Sequence, residues 1–394
     1  MRTPDVRNER GIALVVAVVA LVVIGAIVAG TFFVSNVEQR SAQNVIVAAA
    51  AQQAAEAGLE NAVGNIKGGD YPFGVADSSA YATNVALTTT SSYTVWVFPV
   101  NSSTWLLKSV GTSNGATNTL AELVKAATAN APVNAPLIVA SPVTFNGNSF
   151  TIDGNNANPP VATGCPSTPV PPQVYAVRSQ TTTGMNNGDR DNILGITGSA
   201  PGTQPGQGSS VANDPTVAPM MNTLFGTGGT FDQLRAAATL TYGPGTYTQR
   251  QPSTTVVGGV TKCDYSDQRN WGEPKTVVTQ CQNYFPIVLG TSTFSNPFKI
   301  SGNYGQGILL ADGDLEMTGG FEWYGLILVK GSFKITGTGA KVFGSVIAQN
   351  GATVDDNTLS GNTQITFSTC AISRALNGVA PVRPAGTRAW TQLY

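Results

Sequence analysis

Histidine is absent from all 394 residues of this chain. Its absence removes the commonest general base, the Ser-His and Cys-His nucleophile systems, and most catalytic metal sites. Charge is scarce too: 21 Lys and Arg stand against 22 Asp and Glu, only 11% of residues, for a formal net charge of −1. That balance offers no basic footprint for nucleic acid. The four cysteines include no C-x-x-C pair, so no zinc site is expected, and no cofactor or catalytic set is assigned. What the chain has in excess is glycine (44) and proline (23), with abundant Ser, Thr and Asn. This is the composition of turn-rich β structure.

One stretch departs from that background. The first eleven residues read MRTPDVRNERG, and an uncharged apolar run then begins at Ile12 and ends at Val34; the next ionisable side chain is Glu38. As a helix the run is about 34 Å long, enough to cross a hydrocarbon core of about 30 Å. Arg2, Arg7 and Arg10 precede it, which predicts that the leader stays in the cytoplasm. The run is too long for an ordinary secretory signal, and its bland reading is an uncleaved signal anchor. Past the membrane, Val45, Ala48, Ala51, Ala55, Leu59, Ala62 and Ile66 recur every three or four residues and mark one apolar helix face. Gly68, Gly69 and Pro72 are its stop. Gly25/Ala29 and Ala26/Gly30 are small-residue pairs that let helices approach within the bilayer.

Two motifs in this helix carry a resemblance. Arg10-Gly11 followed by Ile12-Ala13-Leu14-Val15-Val16 resembles the type III leader of type IV pilins and pseudopilins. The resemblance implies cleavage between Gly11 and Ile12 by a prepilin peptidase, and methylation of the new N-terminus. Ala54-Ala55-Glu56-Ala57-Gly58-Leu59-Glu60 resembles the signature that ends the long helix of PilX-type minor pilins. The family usually carries Glu at the fifth mature position, to pair with a neighbour's N-terminal amine; here Val16 stands there. Its absence resembles subunits at a filament tip. The implied partners are other pilin or pseudopilin subunits through the helix, the bacterial inner membrane, the peptidase, and glycans or surfaces. The implied location is the inner membrane, with the ectodomain periplasmic or extracellular in a pilus.

The expected fold class is α+β, mostly β: a leader (1–11), a helix (12–67), a small antiparallel sheet (68–131), a parallel β-helix (132–372) and a tail (373–394). In the sheet unit, Tyr93-Thr-Val-Trp-Val-Phe98 alternates with period two, and runs near Trp105 and Thr119 supply further strands. In the second unit, Gly307-Ile-Leu-Leu, Gly325-Leu-Ile-Leu and Gly344-Ser-Val-Ile recur at about 18 residues, the mark of stacked coils. Aligning the repeats stacks Leu315 on Phe333 and Met317 on Ile335, with Ala352 and Val354 following and Phe298 and Ile300 preceding. Leu137, Val143 and Phe150 read as an earlier coil or cap. The Gly/Thr/Pro-rich insertion at about 179–286 is expected to form a lobe of its own. Of the three pairings open to four cysteines, Cys263–Cys281 and Cys165–Cys370 are favoured. This C-terminal region is bactofilin-like.

Enzymes acting on polysaccharides use such scaffolds, and Asp312, Asp314, Glu316 and Glu322 are the candidate acids. The repeat alignment instead places Asp312 on Lys330, and Glu316 between Lys299 and Lys334, a ladder worth at most about 1 kcal/mol per exposed pair. Asn187 to Asn192 has the oxygen spacing that opens a calcium loop but lacks its distal Glu, so a surface turn is the better reading. Asp264 and Asp267 mark a disulfide loop. Trp271, Trp323, Tyr324, Tyr265 and Tyr284 are either sugar platforms or packing. The expected function is a structural minor or tip subunit of a pilus or pseudopilus, active in assembly and surface adhesion. Its alternatives are an anchored carbohydrate-active enzyme and a scaffold polymerising through β-helix ends.

Overall fold

The structure, a computed structural model, describes residues 10–393 except 69, 72–76, 102, 127–130, 147–149, 160–164, 166–172, 181–191, 197–209, 250–251, 258–259, 294, 338, 356–361 and 387–389. Helix α1 (Arg10–Asn65) is one unbroken rod of 56 residues, about 84 Å long. No proline interrupts it, and Ala, Val and Leu dominate it. It stops where the notch formed by Lys67 and Asp70 turns the chain, the Lys67 amide donating to Asp70 Oδ2 at 2.8 Å. Of the expected stop residues, Gly69 and Pro72 lie outside the described residues.

Four antiparallel strands follow as a meander: β1 (Ser79–Ala86), β2 (Ser91–Asn101), β3 (Thr104–Ser113) and β4 (Ala116–Ala126). Strict alternation puts Tyr93, Val95, Val97, Trp105 and Leu107 on one buried face against Leu59, Ala62 and Ile66 of α1. The free edge of β4 is not left open. Strands Val382–Pro384 and Trp390–Leu393 pair with it antiparallel, so the expected tail (373–394) is not free: it begins within a helix and its two strands complete the small sheet. These strands have three and four residues, too short for periodicity to reveal; the unpaired N–H and C=O groups of β4 recruit them. The β-helix therefore lies between two parts of one sheet. Its returning chain also bonds the end of α1, through Gly68 N–H to Ala380 O (3.0 Å) and Val382 N–H to Ile66 O (3.3 Å).

Between these parts the chain coils into two parallel sheets, one of 11 strands and one of 6. The register is the one the repeat implies. Phe298, Leu315, Phe333 and Ala352 stack in one row, and Ile300, Met317, Ile335 and Val354 in the next, all buried. Burying each such large apolar side chain favours folding by roughly 1.5–3 kcal/mol, several times an exposed ion pair. Gly307, Gly325 and Gly344 also stack in register. Each has positive φ, a conformation that favours glycine at the same point of successive coils.

The path of the chain differs from the expected one in two respects. Leu137–Val139 and Val143–Asn146 sit beyond the last repeat, beside Lys341–Ala348 and Ala352–Asp355, rather than before the first. The insertion is also not a separate lobe. Val177–Ser179 and Val211–Asn213 extend the large sheet at that end, whereas Leu240–Tyr242 and Gly245–Gln249 extend the stack at the other. Helices α2 (Val217–Phe225) and α3 (Thr230–Ala236) make the crossing, their Met220, Met221, Leu224, Phe231 and Leu234 packing on the outer face of the large sheet. The sequence hid this because strands of three to five residues show no period of their own. Within the insertion, the hairpin Thr254–Val257 with Val260–Cys263 stands outside the parallel sheets, its second strand tied by Cys263–Cys281. Helix α4 (Thr369–Val379) covers the same outer face through Ala375 and Val379, capped by Ser368 and tied at Cys370 to Cys165. Both favoured disulfides are present.

Candidate assembly interface

Among the described residues, no other element packs on the membrane-length part of α1. From Leu14 to Val34 every large apolar side chain is exposed, and Gly25 and Gly30 have open space around them. The polar groups near its end are satisfied internally: Thr31 Oγ1 donates to Val28 O (3.0 Å) and Asn36 Nδ2 to Phe32 O (2.9 Å). That is the condition for a helix in hydrocarbon. Gly11 and Ile12 lie in the first turns of α1; the leader before Arg10 lies outside the described residues. Exposure continues past Val34. Val45 and Ile46 are 65% and 67% exposed, and Ala48 is exposed too. The apolar face that the sequence placed from Val45 is covered by this chain only from Ala51 onward, because the sheet reaches no lower.

Where α1 does dock, the small residues of the motif explain how. Ala51, Ala54, Ala55, Gly58 and Leu59 face the sheet, while Glu56 and Glu60 point away. A Cβ on Gly111 of β3 would fall on the Ala51 carbonyl and the Ala55 nitrogen, and one on Gly58 on Ser109 Oγ and 2.9 Å from the Tyr93 ring. At Gly111 the helix and sheet backbones thus meet with no side chain between them, and at Gly58 the helix backbone rests on the Ser109 and Tyr93 side chains. Gly111→Val is expected to destabilise this docking by about 3 kcal/mol, since backbone atoms cannot give way. Protease cleavage within residues 51–66 of the variant, where the unaltered chain resists, is the check.

On the flank of this junction Glu56, Glu60 and Glu122 line a cleft of 370 Å³ floored by Leu59 and Leu120. Burial pushes the Glu122 carboxyl above its ordinary value. At the turn after α1, burial raises Asp70, although the Lys67 amide and charge oppose it.

The acids of the β-helix are engaged with the scaffold. Asp312 meets Arg235 at 2.7 Å and Lys330 at 3.7 Å; Glu316 meets Lys299 at 2.8 Å. Asp314 Oδ1 accepts from the Ser332 amide at 2.7 Å. Glu322 meets Lys275 at 2.6 Å and accepts from Tyr324 Oη at 2.8 Å. Glu273, which the sequence did not single out, is fully buried and accepts from Tyr304 Oη (2.9 Å) and the amides of Lys275 and Val278. Burial first, and Glu273 and Glu322 after it, push the Tyr304 and Tyr324 hydroxyls upward. Trp271, Trp323 and Tyr324 are buried as packing, so they are not platforms for sugars; Tyr265 is exposed and lies against Tyr284, 4.8 Å between centroids. Asp264 and Asp267 serve turns of the disulfide hairpin. Of the calcium-like spacing, residues 187–191 lie outside the described residues.

No family model and no curated protein matches this chain. Among solved structures, the competence-associated pilin ComZ from Thermus thermophilus matches 89% of this chain and 97% of its own, at 14% identity and a TM-score of 0.25. A likeness that loose carries no argument about this chain.

Proposed function

We propose that this chain is a structural subunit of a type IV pilus or pseudopilus, closest in kind to the PilX-type minor pilins. The observation that carries the reading is α1 itself. It is exposed and apolar over a membrane-crossing length to Val34, stays exposed through a polar stretch that ends at Val45 and Ile46, and then docks on the small sheet by the Ala/Gly motif. A rod with that profile is covered by its own chain only from Ala51 onward and needs other helices, or lipid, for the rest. The leader is cytoplasmic, the anchor lies in the bacterial inner membrane, and the ectodomain is periplasmic or carried outward in a filament. The β-helix is much larger than the sheet that bears it, which favours a minor or tip position over the repeating body of a long filament. Projected there, it is suited to adhesion to a glycan or another surface. With its acids engaged in scaffold contacts, the β-helix is read as a structural head without catalysis. Polymerisation through bactofilin-like β-helix ends is the weaker reading, since α1 accounts for assembly without it.

Intact mass and N-terminal sequencing of the chain from membranes and sheared filaments are the test. The expected product begins at Ile12 with one added methyl group. A chain still beginning at Met1 in cells with active prepilin peptidase would sink the pilus reading and leave a plain signal anchor.

A further inference from the structure

The face of the small sheet turned away from α1 carries exposed and half-buried apolar side chains. Its outward row places Trp96 beside Lys108, and the next row aligns Phe98, Leu106 and Leu123. Trp96 is 39% exposed and Leu123 37%. Lys108 lies among these apolar groups and takes part in none of the ion pairs among the described residues. An apolar patch with an aromatic anchor and one central charge is the make-up of an interface core.

The complementary surface is on the other side of the same sheet. The cleft between α1 and β4 has an apolar floor, Leu59 and Leu120, and three carboxylates at its rim, Glu56, Glu60 and Glu122. None of the three is in an ion pair among the described residues. Gln52 donates to Glu56 at 2.9 Å, which leaves the charge uncompensated. A lysine fits such a cleft in both its parts, the methylene stem on the leucines and the ammonium among the carboxylates. We infer that the Trp96–Lys108 face of one copy docks on the α1 side of a second copy, Lys108 entering the cleft of Glu56, Glu60 and Glu122.

Because the two surfaces lie on opposite sides of one layer, their contact is heterologous. It leaves one free surface of each kind at the ends of the pair, so copies add in one direction, sheet on helix on sheet. The inference rests on the proposed function, of which it names the partner surface.

The test uses full-length chains co-expressed in membranes with two different tags. One copy carries Lys108→Cys and the other Glu60→Cys; the native cysteines are paired as Cys165–Cys370 and Cys263–Cys281 and do not compete. Mild oxidation is expected to link the two tags, and to link them far less when Lys108→Cys is replaced by Thr117→Cys, an exposed β4 position at the far end of the sheet. Equal yields from the two pairs would overturn the inference. In the second measurement, Lys108→Glu in both tagged copies is expected to lower co-purification of the tags by at least about tenfold. Adding Glu56→Lys and Glu60→Lys to the partner should restore it; no loss, or loss without rescue in a chain that keeps both disulfides, would overturn the inference. The N-terminus of the same samples separates the two readings. Chains beginning at Ile12 without cross-links remove the docking surface alone, and cross-linked chains beginning at Met1 remove the pilus reading alone.

Discussion

Gly325→Ala is expected to unfold most of the β-helix, with a loss of at least about 4 kcal/mol. Gly325 has φ +141° and stands in register between Gly307 and Gly344, which have φ +108° and +144°. A Cβ there would fall on the Gly307 carbonyl oxygen and reach within 2.9 Å of the Ala375 Cβ on α4. The first collision is with backbone that is itself hydrogen-bonded into the stack, and the second with the helix that covers it. Strain and overlap therefore add, and neither relaxes without opening a coil. Gly64→Ala is the matched control: Gly64 lies within α1 with nothing near its Cβ position. It should be neutral or stabilise by up to about 1 kcal/mol. Urea unfolding of the detergent-solubilised chain, followed by fluorescence of the buried tryptophans, reads both. A midpoint for Gly325→Ala equal to that of Gly64→Ala would show that this position does not govern coil geometry.

Loss of Cys165–Cys370 has the second large expected effect. The bond joins residues 205 apart in sequence, and in the chain-entropy account a loop of that size is worth about 5 kcal/mol. Cys165→Ser with Cys370→Ser removes the bond while leaving α4 its apolar contacts through Ala375 and Val379. The double variant is expected to unfold at markedly lower urea, with protease sites opening first in α4. The effect should spread beyond the head. Asn377 of α4 lies against Gly68, where a Cβ would strike its carbonyl, and the chain beyond α4 supplies the last strands of the small sheet. Cys263→Ser with Cys281→Ser spans only 18 residues and should cost less, about 3 kcal/mol in the same account. If the two double variants proved equally stable, loop length would not be the source of the stabilisation.

Much of this molecule was legible in its sequence, because much of it repeats. The run from Ile12 to Val34 has no charge over a membrane's thickness, and that alone marks a helix long and apolar enough to cross a membrane. The three-to-four spacing from Ala51 to Ile66 and the period two of Tyr93 to Phe98 are each imposed by local backbone geometry, so a window of ten residues carries the signal. The 18-residue recurrence of Gly307, Gly325 and Gly344 set the register of the coils, since stacking identical turns allows one alignment only. The ladder of Lys299 on Glu316 and of Asp312 on Lys330 followed from that alignment.

Other features were decided only by the folded chain. Val45 and Ala48 belong to the helix stripe by pattern, yet the sheet ends before reaching them. Glu273 became a buried carboxylate because Tyr304 and two amides converge on it, groups from segments about 30 residues apart. The crossing by α2 and α3, the strands that extend the stack at both ends, and the closing of β4 by Val382 to Leu393 all depend on pairing between distant short segments. A strand of three residues has too little pattern to declare itself. It is chosen by the free edge it meets, and such an edge exists only after the rest of the sheet has formed.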